Sequence, residues 1–257
     1  MNDSFKRHLL NALSKNVRSD GRKLDEFRNV EIEYGISKTA EGSARVKFGD
    51  TEVVAGVKLL LSEPYPDTPD EGSIMVNAEL LPLSNPEFEA GPPSIESIEL
   101  ARVIDRGIRE SKAIDLKKLA IVPGEKCWTV SVDICTLNDD GNLLDASALA
   151  TLAALKDTVF PEYSNGEVNY KKKTDKRLVL EKLPITVTVF KLGGSLLVDP
   201  LPEEEQWLDA RLTVASLEDN SICALQKGGN VELSFDELSK MLDIAIQKAA
   251  ELRKHLL

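Results

Sequence analysis

Hydrophobic and polar residues alternate along much of the first half of the chain, as they do in strands that bury one face. This pattern predicts strands over residues 29–37, 43–48, 51–61, 72–81 and 125–137. After Ser94 the spacing of the apolar residues changes to that of a helix with one buried face. The buried face of this helix is predicted to consist of Ile98, Ala101, Ile104 and Ile108.

Residues 139–157 combine a polar turn with a segment that is apolar on nearly every side, DDGNLLDASALATLAALKD. We expect a helix of this kind to be buried between layers, because a surface helix keeps a polar face. Its many small residues allow neighbouring sheets to approach closely. Side chains in the turn can cap the first N–H groups of the helix, and the same N-terminus is a natural position for a phosphate group.

The second half of the chain repeats the order of strands followed by a helix. The pattern predicts a hairpin over residues 183–190 and 194–198, paired strands over residues 212–217 and 221–226, and a helix over residues 236–256 that Ser234 caps. Runs of antiparallel or mixed strands with packed helices define the α+β class. We therefore predict an α+β fold of two related halves, joined near residues 161–182. The predicted units are an N-terminal helix and connector (1–27), a first half (28–165) and a second half (166–257).

The first residues, MNDSFKRHLLNALSKN, predict a short amphipathic helix with Phe5, Leu9, Leu10 and Leu13 on one face. They lack the apolar core and the cleavage site of a signal peptide, and no apolar run in the sequence is long enough to span a bilayer. We therefore expect a cytoplasmic protein that has no membrane partner.

Cysteine and histidine are sparse and widely spaced. The three cysteines, Cys127, Cys135 and Cys223, favour buried free thiols in a reducing compartment over a disulfide framework or a zinc site. The two histidines, His8 and His255, lie near the termini, which argues against histidine-based catalysis or metal binding.

The charge balance is acidic, with a net charge of −11 from 32 basic and 43 acidic residues. A protein that binds nucleic acid alone usually shows the opposite balance. Two interpretations follow: the chain ignores nucleic acid, or it concentrates its basic residues locally and works beside a more basic partner.

Several segments occur in an order that is typical of one family. They are RSDGR at residues 18–22, TAEGSARVKFGDTEVVAGVK at 39–58, the arginine-bearing helix after Ser94, and the turn and helix at 139–157. Together they resemble the RNase PH family over nearly the whole chain. That family degrades or trims RNA by phosphorolysis and builds six-membered rings. Within the family, the chain resembles the archaeal exosome ring subunit that is described as non-catalytic.

Two parts of the chemistry of active family members are missing from this chain. Active members begin the central helix with Gly, then Ser or Thr, then Arg, which hold the attacking phosphate. The matching positions here are Gly141, Asn142 and Leu143, and leucine cannot hold a phosphate. Active members also carry two aspartates six residues apart that hold a metal or handle a proton. Here those positions are Glu205 and Arg211, so the resemblance implies no catalytic residues, no metal site and no cofactor.

The resemblance also implies a set of partners. They are a catalytic RNase PH-like homologue that forms a heterodimer with this chain, three such heterodimers per ring, RNA-binding cap proteins and single-stranded RNA. The alternative hypothesis is an active phosphorolytic 3′–5′ exoribonuclease, which would need a displaced phosphate site. A third hypothesis, a ring protein with no role in RNA binding, fits the acidic net charge.

Arg102, Arg106 and Arg109 have the spacing that places side chains on one face of a helix. The resemblance suggests that they bind RNA phosphates near the partner's active site. The alternative is pairing along the helix surface, of Glu99 with Arg102 and of Asp105 with Arg109, because such ion pairs are common on exposed helices. The sequence leaves both interpretations open.

Other polar and aromatic residues support two interpretations each. The acidic residues Glu203, Glu204, Glu205 and Asp209 form either a metal cluster or, as we favour, a solvated loop. Arg211 could pair with one of these residues or reach toward RNA, and the sequence leaves both interpretations open. Lys171, Lys172 and Lys173 could contact RNA but more simply occupy an exposed loop. We expect Trp128 in the core and Trp207 as an interface anchor.

Overall fold

A computed structural model describes residues 2–164 and 166–256 of the chain. The first half contains α1 (Asn2–Leu13), β1 (Val30–Tyr34), β2 (Gly42–Phe48), β3 (Thr51–Ser62), β4 (Ser73–Glu79), α2 (Ile95–Ser111), a 3₁₀ turn (Leu116–Leu119), β5 (Ala120–Val122), β6 (Lys126–Asn138) and α3 (Leu143–Asp157). The rest contains β7 (Val159–Ser164), β8 (Glu167–Arg177), β9 (Ile185–Leu192), β10 (Ser195–Val198), α4 (Pro202–Glu205), β11 (Ala210–Ser216), β12 (Ile222–Gly229) and α5 (Phe235–Arg253).

The strands form three sheets. The first runs in the order β1-β2-β3-β6-β4, with β5 also paired to β6, and only its β4–β6 pairing is parallel. The second is fully antiparallel and runs in the order β10-β9-β11-β12. Strands β7 and β8 form a separate two-stranded sheet. The α+β architecture and its mixed and antiparallel sheets confirm the sequence-based prediction of the fold class.

Helix α3 lies between the two large sheets and contacts β2 and β3 of the first and β9 of the second. Every residue from Asp145 to Leu155 is buried, as the absence of a polar face predicts. Small residues allow this close packing: a Cβ added to Gly42 of β2 would lie 2.4 Å from the Ala154 carbonyl oxygen. The core is therefore built around this helix.

Helix α2 begins where the sequence predicts, because the Ser94 hydroxyl accepts a hydrogen bond from the Ser97 N–H. Ala101, Ile104 and Ile108 are buried as predicted, but Ile98 is 46% exposed, so that prediction is wrong. At about 100° per residue, Ile98 lies about 120° around the helix from Ile104, outside the stripe that meets the sheets.

The polar stretch predicted to join the halves is largely the β7–β8 hairpin. Lys171, Lys172 and Lys173 are exposed as predicted, but they lie in strand β8 rather than in a loop, so that part of the prediction is wrong. Most side chains of β8 are exposed, and such a strand carries no hydrophobic alternation in its sequence. The predicted boundary at residue 165 falls outside the described residues, and the division into units stays a prediction.

Helix α1 packs its Leu9 and Leu13 against β9 and β10 in a small second apolar cluster with Phe190, Leu192 and Leu197. Phe5 is 45% exposed, so the predicted apolar face is only partly covered. Trp207 joins this cluster, and the Lys6 ammonium lies 5.4 Å from its ring centroid. Trp207 thus packs against α1 within the chain, and its role as an interface anchor stays a prediction.

The burial of Trp128 and of the cysteines, and the absence of a membrane-spanning helix, are also predicted from the sequence. Trp128 is buried in the core as predicted, edge-on to Phe160. Cys127 is a buried free thiol, whereas Cys135 and Cys223 are only half-buried. None of the helices in the described part of the chain is both long and apolar enough to cross a membrane.

Candidate functional site

The turn between β6 and α3 is pressed against the segment that precedes α4. Gly141 adopts a φ of +85°, and a Cβ there would lie 2.4 Å from the Pro200 carbonyl oxygen, so only glycine fits without strain. Asn142 follows in the left-handed region with a φ of 58° and makes no side-chain cap to α3. Capping by a side chain of the turn, which the sequence suggests, is therefore not what closes the start of this helix.

The N-terminus of α3 is instead occupied by a carboxylate from α4. The Asn142 backbone N–H donates to Glu205 Oε2 at 3.1 Å. Burial raises the pKa of Glu205 to about 7, and the nearby charge of Asp139 adds to this effect against the opposing hydrogen bond from Asn142 and the charges of Arg211 and Arg28. A carboxylate is a favourable neighbour for a helix N-terminus, since the exposed N–H groups carry partial positive charge.

Asp199 lies next to this turn, and its carboxylate accepts hydrogen bonds from five nitrogen atoms of three residues. Its carboxylate accepts from Arg28 Nη2 at 2.7 Å, from Arg22 Nη1 at 2.8 Å and from Asn142 Nδ2 at 3.0 Å. Burial alone would raise the pKa of Asp199, but its hydrogen bonds and ion pairs with the arginines outweigh burial and hold the pKa below its usual value. We call Arg22, Arg28, Asn142 and Asp199 the Asp199 network.

The connector segment RSDGR supplies part of this network. Arg18 forms a fully buried ion pair with Glu204 of α4 at 2.5 Å and donates to the Asp199 backbone carbonyl at 2.8 Å. Arg28 reaches across to Asp140 Oδ2 at 2.9 Å. The arginines at the start of the chain therefore join the turn before α3 to the segment before α4.

Another buried carboxyl group, that of Asp145, lies in the first turn of α3. Asp145 Oδ1 accepts from the Thr188 hydroxyl at 2.8 Å, and Asp145 Oδ2 accepts from Asn142 Nδ2 at 3.3 Å. Complete burial, together with the nearby charge of Asp199, raises the pKa of Asp145 to about 7 despite these hydrogen bonds. Sequence reasoning missed Asp145, Asp199 and Arg28; the one available signal was an acidic residue within an otherwise apolar helix.

Arg211 occupies the position where the resemblance expects a carboxylate. Its Nη2 pairs with Glu99 Oε1 of α2 at 2.7 Å, and its guanidinium lies over Gly228 of β12. Arg211 therefore does not pair with the acidic segment in sequence, as one of the two interpretations held. Its Nε is buried without a hydrogen-bond partner among the described residues.

The acidic residues from 203 to 209 are separated by the fold. Glu204 is buried against Arg18, Glu203 accepts from the Ser19 hydroxyl at 2.6 Å, and Asp209 accepts from the Gly193 N–H at 2.6 Å. The favoured interpretation of one solvated loop is therefore wrong, because α4 turns these side chains in different directions. Within residues 2–164 and 166–256, no group of three His, Cys, Asp or Glu residues could hold a metal ion.

The three arginines of α2 lie on its exposed face. Arg109 pairs with Asp105 at 2.8 Å, as the surface-pairing interpretation predicts, and also donates to the Ile74 carbonyl at 3.0 Å. The predicted pair of Glu99 with Arg102 is not formed, because Glu99 pairs with Arg211. Arg106 makes one long contact of 3.3 Å to the Leu225 carbonyl. Hence the structure leaves Arg102 and Arg106 largely available.

The first domain of the 3′ exoribonuclease family matches residues 26–161, and the second domain of that family matches residues 182–248. The chain therefore belongs to the 3′ exoribonuclease family, the RNase PH family that the sequence motifs indicate.

Individual relatives are similar over almost their whole length. The chain is 51% identical to the exosome complex component Rrp42 of Archaeoglobus fulgidus, over 96% of this chain and 93% of that protein. A structure described as the Archaeoglobus fulgidus exosome with RNA bound to the active site has a TM-score of 0.92 at 50% identity, covering 99% and 98% of the two chains. An archaeal exosome core structure gives a TM-score of 0.88 at 47% identity, covering 99% and 96%.

Proposed function

We propose that the chain is a non-catalytic subunit of an archaeal-type exosome ring, which completes the active site of a catalytic homologue and helps bind single-stranded RNA. One observation carries the proposal: the N-terminus of α3 holds the Glu205 carboxylate. With Leu143 beside it and a cation, Arg211, in place of a carboxylate, this chain lacks the means to hold an attacking phosphate.

Support for the ring comes from the relatives. Proteins similar over nearly the whole chain are named exosome complex components, and one similar structure is described with RNA at an active site. The proposed partner is a catalytic RNase PH-like homologue, in three heterodimers per ring, with RNA-binding cap proteins on the ring. A cytoplasmic location also stays a prediction, which cell fractionation would check.

Arg102, Arg106 and Arg109 are the proposed RNA contacts of this subunit. They share the exposed face of α2, and guanidinium groups bind phosphate oxygens well because they donate two parallel hydrogen bonds. Arg109 is already paired with Asp105, so its phosphate contact would require exchange of that partner. Arg102 and Arg106 are therefore proposed to contribute most.

The test measures nucleoside diphosphate release from a short single-stranded RNA with inorganic phosphate and magnesium. The chain alone, the catalytic homologue alone and the two together are compared at equal concentration. We expect no release by the chain alone and much higher release by the mixture than by the homologue. Robust phosphate-dependent release by the chain alone would instead support the alternative, an active exoribonuclease.

A further inference from the structure

Glu205 is held where an external anion would otherwise bind. Helix α3 has 15 residues. The backbone N–H groups at its start, from Asn142 onward, have no acceptor within the helix. The Asn142 N–H donates to Glu205 Oε2 at 3.1 Å, which is the geometry that a bound oxyanion would adopt. The protein's own side chain thus supplies the negative charge that this helix end favours.

Two arginines near Glu205 stabilise a negative charge in this position, against the cost of its burial. Arg28 and Arg211 both lie near enough to stabilise its charge, and Asp139 opposes them. Arg28 already forms ion pairs with Asp199 and Asp140. The buried Nε of Arg211, in contrast, has no hydrogen-bond partner among the described residues. Glu205 itself is only half-buried, so removal of its side chain would open the position to solvent.

We propose that Glu205 is a resident anion that closes the N-terminus of α3 to tetrahedral oxyanions such as inorganic phosphate. The inference deepens the proposed function, on which it rests, because it gives Glu205 an active part in excluding phosphate beside the missing phosphate ligand at Leu143. Its charge repels an incoming anion, and its Oε2 already accepts from the N–H that the anion would need. Loss of the carboxylate is then expected to create a phosphate site that the native chain lacks.

The test compares phosphate binding by full-length chains carrying Glu205→Ala or Glu205→Gln with binding by the native chain. Phosphate is titrated at pH 8, where the Glu205 carboxyl group is ionised, and at constant ionic strength. Its affinity is read from the rise in melting temperature and from ³¹P line broadening. We expect E205A to melt at a lower temperature without phosphate and to bind phosphate at least tenfold more tightly than the native chain. Sulfate should substitute for phosphate in E205A, and chloride should not.

Glu203→Ala is the matched control. Glu203 lies on the same short helix and carries the same charge, but its exposed side chain faces Ser19 rather than α3. E203A should therefore bind phosphate no better than the native chain. Equal gains in E203A and E205A would overturn the proposal, because a general loss of negative charge would then explain both.

E205Q keeps the test decisive if E205A does not fold. Glutamine preserves the size of the side chain and an acceptor for the Asn142 N–H but removes the charge. We expect its phosphate affinity to rise at least threefold over that of the native chain, and no rise would overturn the proposal. None of these measurements requires the catalytic homologue. A negative phosphate result would therefore overturn the role of Glu205 without affecting the proposed ring function. A negative assembly result would likewise leave the phosphate measurements unaffected.

Discussion

At the scale of single residues, Asp145 is a carboxyl group that the fold buries without a cationic partner among the described residues. It is completely buried, and its pKa is raised to about 7 from an ordinary value of 3.8. The Thr188 hydroxyl and the Asn142 amide donate to it, but no cation pairs with it among the described residues. Asp145 therefore keeps its proton in the folded protein at a pH where the unfolded chain has released it.

This difference predicts a pH-dependent stability. The contribution of Asp145 to the free energy of unfolding is fully present below about pH 4 and is lost as the pH rises to about 7, because the folded state binds the extra proton. Asp145→Asn keeps an acceptor for Thr188 and cannot ionise, so it should gain on the order of 2–4 kcal/mol relative to the native chain between pH 5 and pH 8. Urea unfolding at several pH values measures this gain.

The exposed Asp67→Asn variant is the control for the pH experiment, since it removes one acidic group from a surface loop. Its free energy of unfolding should follow that of the native chain across the same pH range. A constant difference between D145N and the native chain at every pH would contradict the assigned titration.

The departures from the family motif could be predicted from the sequence, but the contact that Glu205 makes in the folded protein could not. Leu143 and Arg211 depart from the motif visibly, because each has the wrong chemistry at a defined spacing. The contact of Glu205 with the Asn142 N–H depends instead on α4 folding back across 63 positions of sequence. A local sequence pattern does not predict a contact between residues so far apart. The sequence therefore identifies Glu205 as a motif position but does not predict its hydrogen bond with the Asn142 N–H.

At the scale of elements, the fit of α3 between the sheets depends on small residues in the strands as well as in the helix. Gly42→Ala would place a Cβ 2.4 Å from the Ala154 carbonyl oxygen and 2.7 Å from the Thr158 Cα. Both contacts are with backbone, which cannot rotate away. We expect G42A to lower the free energy of unfolding by about 1–3 kcal/mol or more, measured by urea unfolding of the isolated chain.

Gly56→Ala provides the matched control in the adjacent strand β3. A Cβ at this position has nothing within 4 Å, and Gly56 pairs with Ser43 in the register of β2 and β3. G56A should change the free energy of unfolding far less than G42A. Similar losses in both variants would show that general strand effects, rather than the contact with α3, limit the size of residue 42.

Elements with strong periodicity could be predicted, whereas exposed and short ones could not. Helix α3 and strands β3 and β6 follow their patterns because burial of apolar side chains decides their structure. Strand β8 is charged along most of its length and is fixed by pairing with β7, which periodicity does not reveal. Helix α4 is held by the buried pair of Arg18 with Glu204, a contact between distant segments.

Helix α2 is the element on which the proposed RNA contacts depend. The triple variant R102A/R106A/R109A, assembled with the catalytic homologue, should bind single-stranded RNA more weakly and with a smaller salt dependence. If all three contact phosphates, the slope of log K against log salt should fall by about 2, since each contact contributes roughly 0.7 on single strands. Fluorescence anisotropy at several salt concentrations measures both quantities.

The triple variant K171A/K172A/K173A is the charge-matched control for this experiment. It removes three cations from β8 instead of α2 and also tests the sequence-based alternative that these lysines contact RNA. We expect the slope to stay close to that of the native ring. An unchanged slope in R102A/R106A/R109A would favour the hypothesis of a ring protein with no RNA role.

At the scale of the whole molecule, the net charge of −11 opposes RNA binding by the isolated chain. The exposed arginines of α2 form a local exception on one helix face. Long-range repulsion from the acidic surface is screened beyond about 8 Å at physiological ionic strength, so local cations can act once RNA is held nearby. Assembly with a catalytic homologue is therefore expected to precede measurable RNA binding by this subunit.

Native mass measurement of the chain alone, the catalytic homologue alone and an equimolar mixture tests this order of events. We expect the mixture to form an assembly of three copies of each chain and the isolated chain to form no such ring. RNA binding by the isolated chain should be at least tenfold weaker than by the ring, because its net charge repels the phosphate backbone without the partner. A chain that stays monomeric beside the homologue would contradict the ring. Equally tight RNA binding by the isolated chain would show instead that its own surface suffices and that the partner is not required to hold the RNA.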